Sequence, residues 1–281
     1  MKKYIVVIIL VVALVSLVVT IIVRSNNNKT SSDNVGASSN DNCNVAAVSI
    51  SGFLNTESAG SGNSSLQVAD AIRRIDPKDK KALLVYMDSP GGMPAAAEEV
   101  SDALNEVNLP KVTFVRGAAL SSAYWIAAST GHIVALGAST IGSIGITSSY
   151  LDEVGLNQMR GYVYHEITTG PYKDAGRVDK PLTAEDKKYI QDTTDKMFQV
   201  FLKALKTYRD FSDDQLKAFS DGKYYLADDA LKLGLIDQIG GFGDVKAYLA
   251  EKTNTSVGDL LICQPVMAGD SGSSVGDKSS Q

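Results

Sequence analysis

The sequence predicts an α/β domain built on a largely parallel sheet, and three observations predict it. Short apolar runs alternate with stretches of helical spacing along most of the chain, the pattern of β-α-β crossover units. The clearest run, residues 82–87 (Ala-Leu-Leu-Val-Tyr-Met), is apolar almost throughout, as in a strand buried on both faces. With 281 residues and 44% hydrophobic content, the chain also has material for one globular core plus appendages.

The elements follow in order. Residues 45–50 form a short apolar strand, and 66–75 carry helical spacing. The strand at 82–87 ends at Asp88, where Asp88-Ser-Pro-Gly91-Gly92 makes a turn. Residues 93–107 are Ala- and Glu-rich and helical, 111–115 a strand, 121–129 a helix and 132–136 a strand. Further on, Thr183-Ala-Glu-Asp186 has the form of a capping box and opens a long helix reaching about Tyr208. Its apolar positions Ile190, Met197, Val200, Phe201, Ala204 and Leu205 share one face, either as core packing or as a subunit contact.

Both ends differ from this domain. The 20 residues from Tyr4 to Val23 carry no charge and would reach roughly 30 Å as a helix, the hydrocarbon thickness of a bilayer. A cleaved signal peptide would have a shorter apolar stretch and a small-residue cleavage site, whereas Arg24-Ser-Asn-Asn follows here. Residues 1–24 are therefore expected to form one transmembrane anchor. Lys2 and Lys3 favour an amino terminus inside and a domain outside the cytoplasm. Residues 25–42 are Asn/Ser-rich and read as a flexible linker, and 267–281 as a disordered tail. The folded domain is then 43–266.

Cys43 and Cys263 are the only cysteines and stand at the two edges of that domain. Outside the cytoplasm they can bridge and tie its ends together; two unpaired thiols is the other reading. A pair is too few for a zinc site of its own. A formal net charge of −5 offers no basic face and speaks against nucleic-acid binding.

Ser121 stands where a strand passes by Arg116-Gly into a helix. A hydroxyl there is exposed, and the free N–H groups of the helix start favour developing negative charge. On position alone, an N-cap is the plainer use of such a serine. A serine attacks only when a base takes its proton, and a lysine is that base only when neutral. Lys173, in Thr169-Gly-Pro-Tyr-Lys173-Asp-Ala-Gly, is the candidate. Burial beside Pro171 and Tyr172 would favour the neutral amine, and Asp174 would oppose it. Gly91 and Gly92 let backbone N–H groups approach a substrate closely, although a Pro-Gly turn is commonly just a turn. Ser143, in Thr140-Ile-Gly-Ser143-Ile-Gly-Ile, reads on its own as a tight-packing residue.

Together these segments resemble the signal peptide peptidase (SppA) family of membrane-anchored Ser-Lys proteases, in its short, single-repeat form. The family's nucleophile occupies Ala-Ser-Gly-Gly-Tyr, to which Leu120-Ser121-Ser122-Ala123-Tyr124 is similar, with both glycines replaced. Tyr124 fixes the register on Ser121. The resemblance implies that Ser121 is the nucleophile and Lys173 the general base, with Thr169 standing where the family has serine. It implies an oxyanion hole from Gly91, Gly92 and the Ser122 N–H, and a lysine-orienting role for Ser143. Residues 221–241 resemble the family's closing segment of short strand, helix and glycine turn. The implied fold is a ClpP/crotonase-like spiral of β-β-α units. The implied activity is a serine endopeptidase that degrades remnant signal peptides and other small or unfolded polypeptides. It needs no cofactor, and works as a homo-oligomeric ring whose neighbouring subunits share active sites.

Two other readings stay open. A crotonase-type acyl-CoA enzyme shares the fold but has no use for Lys173 or a membrane span. A catalytically inactive, membrane-bound assembly module is suggested by the two lost glycines. His132 and His165 lie in no motif expected of a Ser-His-Asp base and read as structural. No metal-ligand constellation is evident.

Overall fold

The computed structural model describes residues 42–57 and 63–267. The expected transmembrane anchor, nearly all of the linker and of the tail lie outside the described residues. Among those described, no helix is long and apolar enough to cross a membrane.

The chain opens with β1 (Val45–Ser51) and a short pair, β2 (Leu54–Asn55) and β3 (Asn63–Ser64). There follow α1 (Ser65–Arg73), β4 (Ala82–Ser89), α2 (Pro94–Glu106), β5 (Lys111–Leu120), α3 (Ser122–Ser129), β6 (Ile133–Ala135) and β7 (Thr140–Gly142). The second half comprises α4 (Val154–Met159), α5 (Ala184–Arg209), α6 (Asp213–Phe219), β8 (Tyr224–Leu226), α7 (Ala227–Lys232), β9 (Gln238–Ile239), α8 (Phe242–Thr253) and β10 (Val266–Met267). Strands run parallel in the order β10-β1-β4-β5-β6-β9, while β7 pairs with the end of β5 and, antiparallel, with β8. This is the mixed α/β class, with a parallel-rich sheet, that the alternation predicts.

Alternate side chains of the central strands enter opposite layers. Ala46, Val48, Leu83 and Val85 pack on one face with residues of α1, α2, α3 and α5, whereas Val45, Ala47, Leu84 and Phe114 meet Val245 and Leu249 of α8 on the other. Helix α3 is apolar on every side and all its residues are buried, as a helix without a polar face must be. Trp125 stacks on Phe201 with ring centroids 5.2 Å apart, and the Tyr124 hydroxyl donates to the Leu235 carbonyl at 2.9 Å. The helix that follows Ser121 is thus fixed in the core at both its aromatic side chains.

Strand β5 outruns the expected 111–115, because it changes neighbours partway. Its first half pairs with β6 and its last three residues with β7. The passage by Arg116-Gly117 is absorbed into the strand as a bulge: β4 and β5 pair Met87 with Val115, then Ser89 with Ala119. Residues 162–167 (Tyr-Val-Tyr-His-Glu-Ile), strand-like in sequence, form no strand: among the described residues none pairs with them, and Val163 and Ile167 are exposed.

Thr183 caps α5 as the motif predicts. The Asp186 N–H donates to Thr183 Oγ1 at 3.0 Å and the Thr183 N–H to Asp186 Oδ2 at 3.4 Å. Of the apolar stripe on α5, Phe201 and Leu205 enter the core while Val200 stays exposed. At the domain's edge, Cys43 and Cys263 are joined by a disulfide, with Cα atoms 5.0 Å apart. Asn44 adds to this clamp, donating from Nδ2 to the Asp259 carbonyl at 2.8 Å and accepting the Leu261 N–H at Oδ1 at 3.0 Å.

Candidate active site

Ser121 is the single residue between strand β5 and helix α3. The junction is sharp. Ser121 has φ 51° and ψ −123°, a region that residues bearing a Cβ rarely occupy. Such strain persists only where the surroundings impose it. Here the Ser121 N–H donates to the Gly142 carbonyl at 2.8 Å, its carbonyl accepts the Trp125 N–H at 3.1 Å, and the helix beyond is buried. Ser121 lines a cavity of about 490 Å³ together with Gly92, Ser143, Phe53, Pro90 and Ile146. Ser143 is held in similar fashion, at φ 50°, with its N–H donating to the Lys223 carbonyl at 2.7 Å.

Two backbone amides converge on this junction. The Ser122 N–H opens α3, where no preceding helical turn exists to accept it. Gly92 forms a parallel bridge with Leu54: the Leu54 N–H donates to the Gly91 carbonyl, and the Met93 N–H to the Leu54 carbonyl, each at 2.9 Å. In that pattern the N–H and C=O of Gly92 itself face away from Leu54. On that side the Ser122 hydroxyl donates to the Gly92 carbonyl at 2.8 Å, so the Gly92 N–H also faces the start of α3. The Gly91 N–H is used differently, donating to Ser89 Oγ at 3.1 Å. Of the two glycines, Gly92 is therefore the available donor.

Both glycines are required by contact. A Cβ on Gly91 would lie 2.6 Å from the Leu120 carbonyl oxygen and 2.9 Å from Ser121 Cβ, at φ +101°. One on Gly92 would lie 2.1 Å from the Leu54 carbonyl oxygen. A third close approach is absent from the sequence reading. Gly117, in the bulge, faces Asp88, whose Oδ1 would be 2.3 Å from a Cβ there and which accepts the Ala118 N–H at 3.1 Å. Asp88, Ser89 and Gly117 could be found in sequence only as turn punctuation; their pairing across some thirty positions is set by the register of β4 and β5.

Ser122 and Ala123, which replace the family's glycines, do not narrow the cavity. Both are buried, and neither lines it. Lys173 is not brought to Ser121. It is exposed, lies in a turn where its N–H donates to the Gly170 carbonyl at 3.1 Å, and does not line the cavity. The burial beside Pro171 and Tyr172 that would favour a neutral amine does not occur within the chain, since both are exposed, with Tyr172 stacked on Tyr189 at 4.9 Å. Asp174 is engaged by the Tyr164 hydroxyl. The reason is topological: residues 160–182 run over the surface without helix or strand.

The histidines stand elsewhere. His132 stacks face to face on Tyr248, centroids 3.7 Å apart, with Nδ1 3.9 Å from Asp237 Oδ2. Burial lowers its pKa, and it does not line the cavity. His165 is exposed. Among the described residues no group of His, Cys, Asp or Glu has the arrangement of a metal site.

A buried helix driven off the end of a parallel strand, with a serine at the junction and amides beside it, is consistent with the ClpP/crotonase-like class. The family model of Clp protease matches residues 47–141, and that of peptidase family S49 matches residues 103–256. The chain belongs to peptidase family S49, the family of the signal peptide peptidase SppA. It is 32% identical over 196 residues to a putative protease of Methanocaldococcus jannaschii, covering 68% of this chain and 63% of the relative. It is 28% identical over 201 residues to protease 4 of Salmonella typhi, 68% of this chain and 31% of that one. With a putative signal peptide peptidase SppA of Enterococcus faecium it shares 28% over 168 residues, 59% and 49% of the two chains. The chain thus aligns with 31% to 63% of the length of these relatives.

Proposed function

We propose that this chain is a membrane-anchored serine endopeptidase acting outside the cytoplasm on remnant signal peptides and other small or unfolded polypeptides. One observation carries the proposal: Ser121 is held in a strained conformation at the start of α3, on the wall of a cavity that Gly92 also lines. In this reading the Ser121 hydroxyl attacks a peptide carbonyl, and the Gly92 and Ser122 N–H groups receive the oxyanion. Each such donor is typically worth about 10²–10³ in rate. A neutral lysine takes the hydroxyl proton and returns it to the leaving amine.

That lysine is Lys173 of a neighbouring copy. Its exposure and its absence from the cavity lining of its own chain support an assembly in which one subunit covers and desolvates the lysine of the next. Ser143, on the cavity wall, is the acceptor that orients the incoming amine. The apolar segment at 4–23 supports the anchor, and the Cys43–Cys263 disulfide supports an oxidising compartment.

A fluorophosphonate probe, which phosphonylates only an activated serine, tests the reading alongside hydrolysis of unfolded peptide. The wild-type chain is expected to label and to cleave, and Ser121→Ala and Lys173→Ala to lose both while keeping their fold. Full labelling of Ser121→Ala would overturn it.

A further inference from the structure

One buried polar side chain beside the site has so far been given no role. Ser89 is fully buried at the last position of β4, and its hydroxyl makes two bonds. It donates to the Gly52 carbonyl at 2.7 Å and accepts the Gly91 N–H at 3.1 Å. Those partners belong to the two strands of chain that meet at Gly92. Gly52 leads into Leu54, whose N–H and C=O bracket Gly92, and Gly91 is the residue before it.

We propose that Ser89 is the positioning residue of the oxyanion turn: its hydroxyl takes up the Gly91 N–H and pins the turn to Gly52, so that the Gly92 N–H faces Ser121. The inference rests on the peptidase reading. Its physical basis is the freedom of a Gly-Gly pair. Consecutive glycines have few steric limits on their peptide planes, so something other than their own sterics must choose which amide faces the cavity. A hydrogen bond from the first amide to a buried hydroxyl makes that choice, and the Leu54 bridge carries it to the second. Pro90, between Ser89 and Gly91, fixes its own φ and keeps Ser89 extended.

Such a role falls on the turnover step. The Gly92 N–H acts on charge that develops in the transition state, so a misdirected amide lowers kcat and leaves KM nearly unchanged. A displacement of about 1 Å at a reacting centre costs roughly hundredfold in rate. A merely structural hydroxyl would lower the melting temperature and leave kcat per folded molecule alone.

The test uses the full chain and compares Ser89→Ala, which lacks the hydroxyl, with Ser89→Thr, which keeps it. Folded protein is counted by circular dichroism. In Ser89→Ala, kcat and the rate of fluorophosphonate labelling at Ser121 are expected to fall together by about 10- to 100-fold, with KM within about twofold, and Ser89→Thr to recover most of the loss. Should Ser89→Ala fail to fold, Ser89→Cys, nearly isosteric but a weak hydrogen-bond partner, takes its place with the same readings. Unchanged kcat in the folded variant, or a loss carried by KM alone, overturns the positioning role. A wild-type chain that neither labels nor cleaves overturns the peptidase reading instead, and this inference with it.

Discussion

The Ser122 hydroxyl donates to the Gly92 carbonyl at 2.8 Å, so the residue after Ser121 turns its side chain into the protein, away from the cavity. This bond couples the two parts of the site. One end belongs to the helix that follows Ser121 and the other to the glycine turn, and an error in either would be felt by both. Of the two adjacent serines, only Ser121 lines the cavity.

Ser121→Ala is therefore expected to abolish peptide hydrolysis. Ser122→Ala keeps the attacking hydroxyl and is expected to retain measurable activity. Its cost is the loss of one hydrogen bond to a buried carbonyl, about 1–3 kcal/mol of stability. Steady-state rates and denaturant melts of both variants check this. Full activity in Ser121→Ala with none in Ser122→Ala would move the nucleophile by one residue.

The glycine turn gives a sharper contrast. Gly91→Ala forces a Cβ to within 2.9 Å of Ser121 Cβ at a φ that alanine disfavours, and is expected to be inactive and destabilised. Gly131 has a similar φ of +79° with nothing within 4 Å. Gly131→Ala should cost about 1 kcal/mol and leave kcat as it was. Equal activity losses in the two variants would mean that backbone strain, not crowding at Ser121, is responsible.

What the sequence made legible was local. Buried strands, the Thr183 capping box and the strand-to-helix junction at Ser121 are each encoded within a few residues. What it hid depends on register. The bulge at Arg116-Gly117 looked like a loop because apolar periodicity cannot show a strand changing neighbours from β6 to β7. Ser89 and Asp88 looked like turn residues because their partners, Gly52 and Ala118, are brought near by sheet pairing. Burial beside Pro171 and Tyr172 would have favoured a neutral Lys173, yet flanking residues cannot cover a side chain on a segment that crosses the surface.

His132 sets a pH dependence of stability. Burial holds its pKa below the ordinary value, with Asp237 opposing and Arg209 and Lys252 adding to the shift. The unfolded chain takes up the proton at about pH 6.5 and the folded one only at lower pH. The contribution is therefore complete above about pH 6.5, declines as pH falls below it, and levels off beneath the folded-state pKa. Thermal melts from mildly alkaline to mildly acidic pH should show a steeper decline for the wild type than for His132→Phe. Parallel curves would remove His132 from the account.

The Cys43–Cys263 bridge closes a loop of 220 residues, and Asn44 and the Val45 carbonyl hold the same edge by hydrogen bonds. Replacing both cysteines by serine is expected to cost about 2–4 kcal/mol while leaving kcat unchanged, because the clamp does not line the cavity with Ser121. Thiol labelling of unreduced, denatured protein gives the direct check. Two free thiols per chain would rule the bridge out.

The exposure of Lys173 leads to the last prediction. If the base of each site comes from a neighbouring copy, a chain lacking Ser121 and a chain lacking Lys173 are each inactive alone but carry complementary halves. Co-assembly would then create some sites in which Ser121 of one chain meets Lys173 of another, and activity should return without any wild-type chain present. Random mixing in equal amounts would regenerate about one site in four under a simple pairing count, since catalysis requires both groups of the dyad to act as a unit. The peptidase rate and the fluorophosphonate labelling should both follow the mixing ratio, with a maximum at equal amounts. Mixed assemblies that form, as seen by native mass spectrometry, yet stay inactive at every ratio would mean that the dyad lies within one chain, and that the segment carrying Lys173 must fold back over its own cavity.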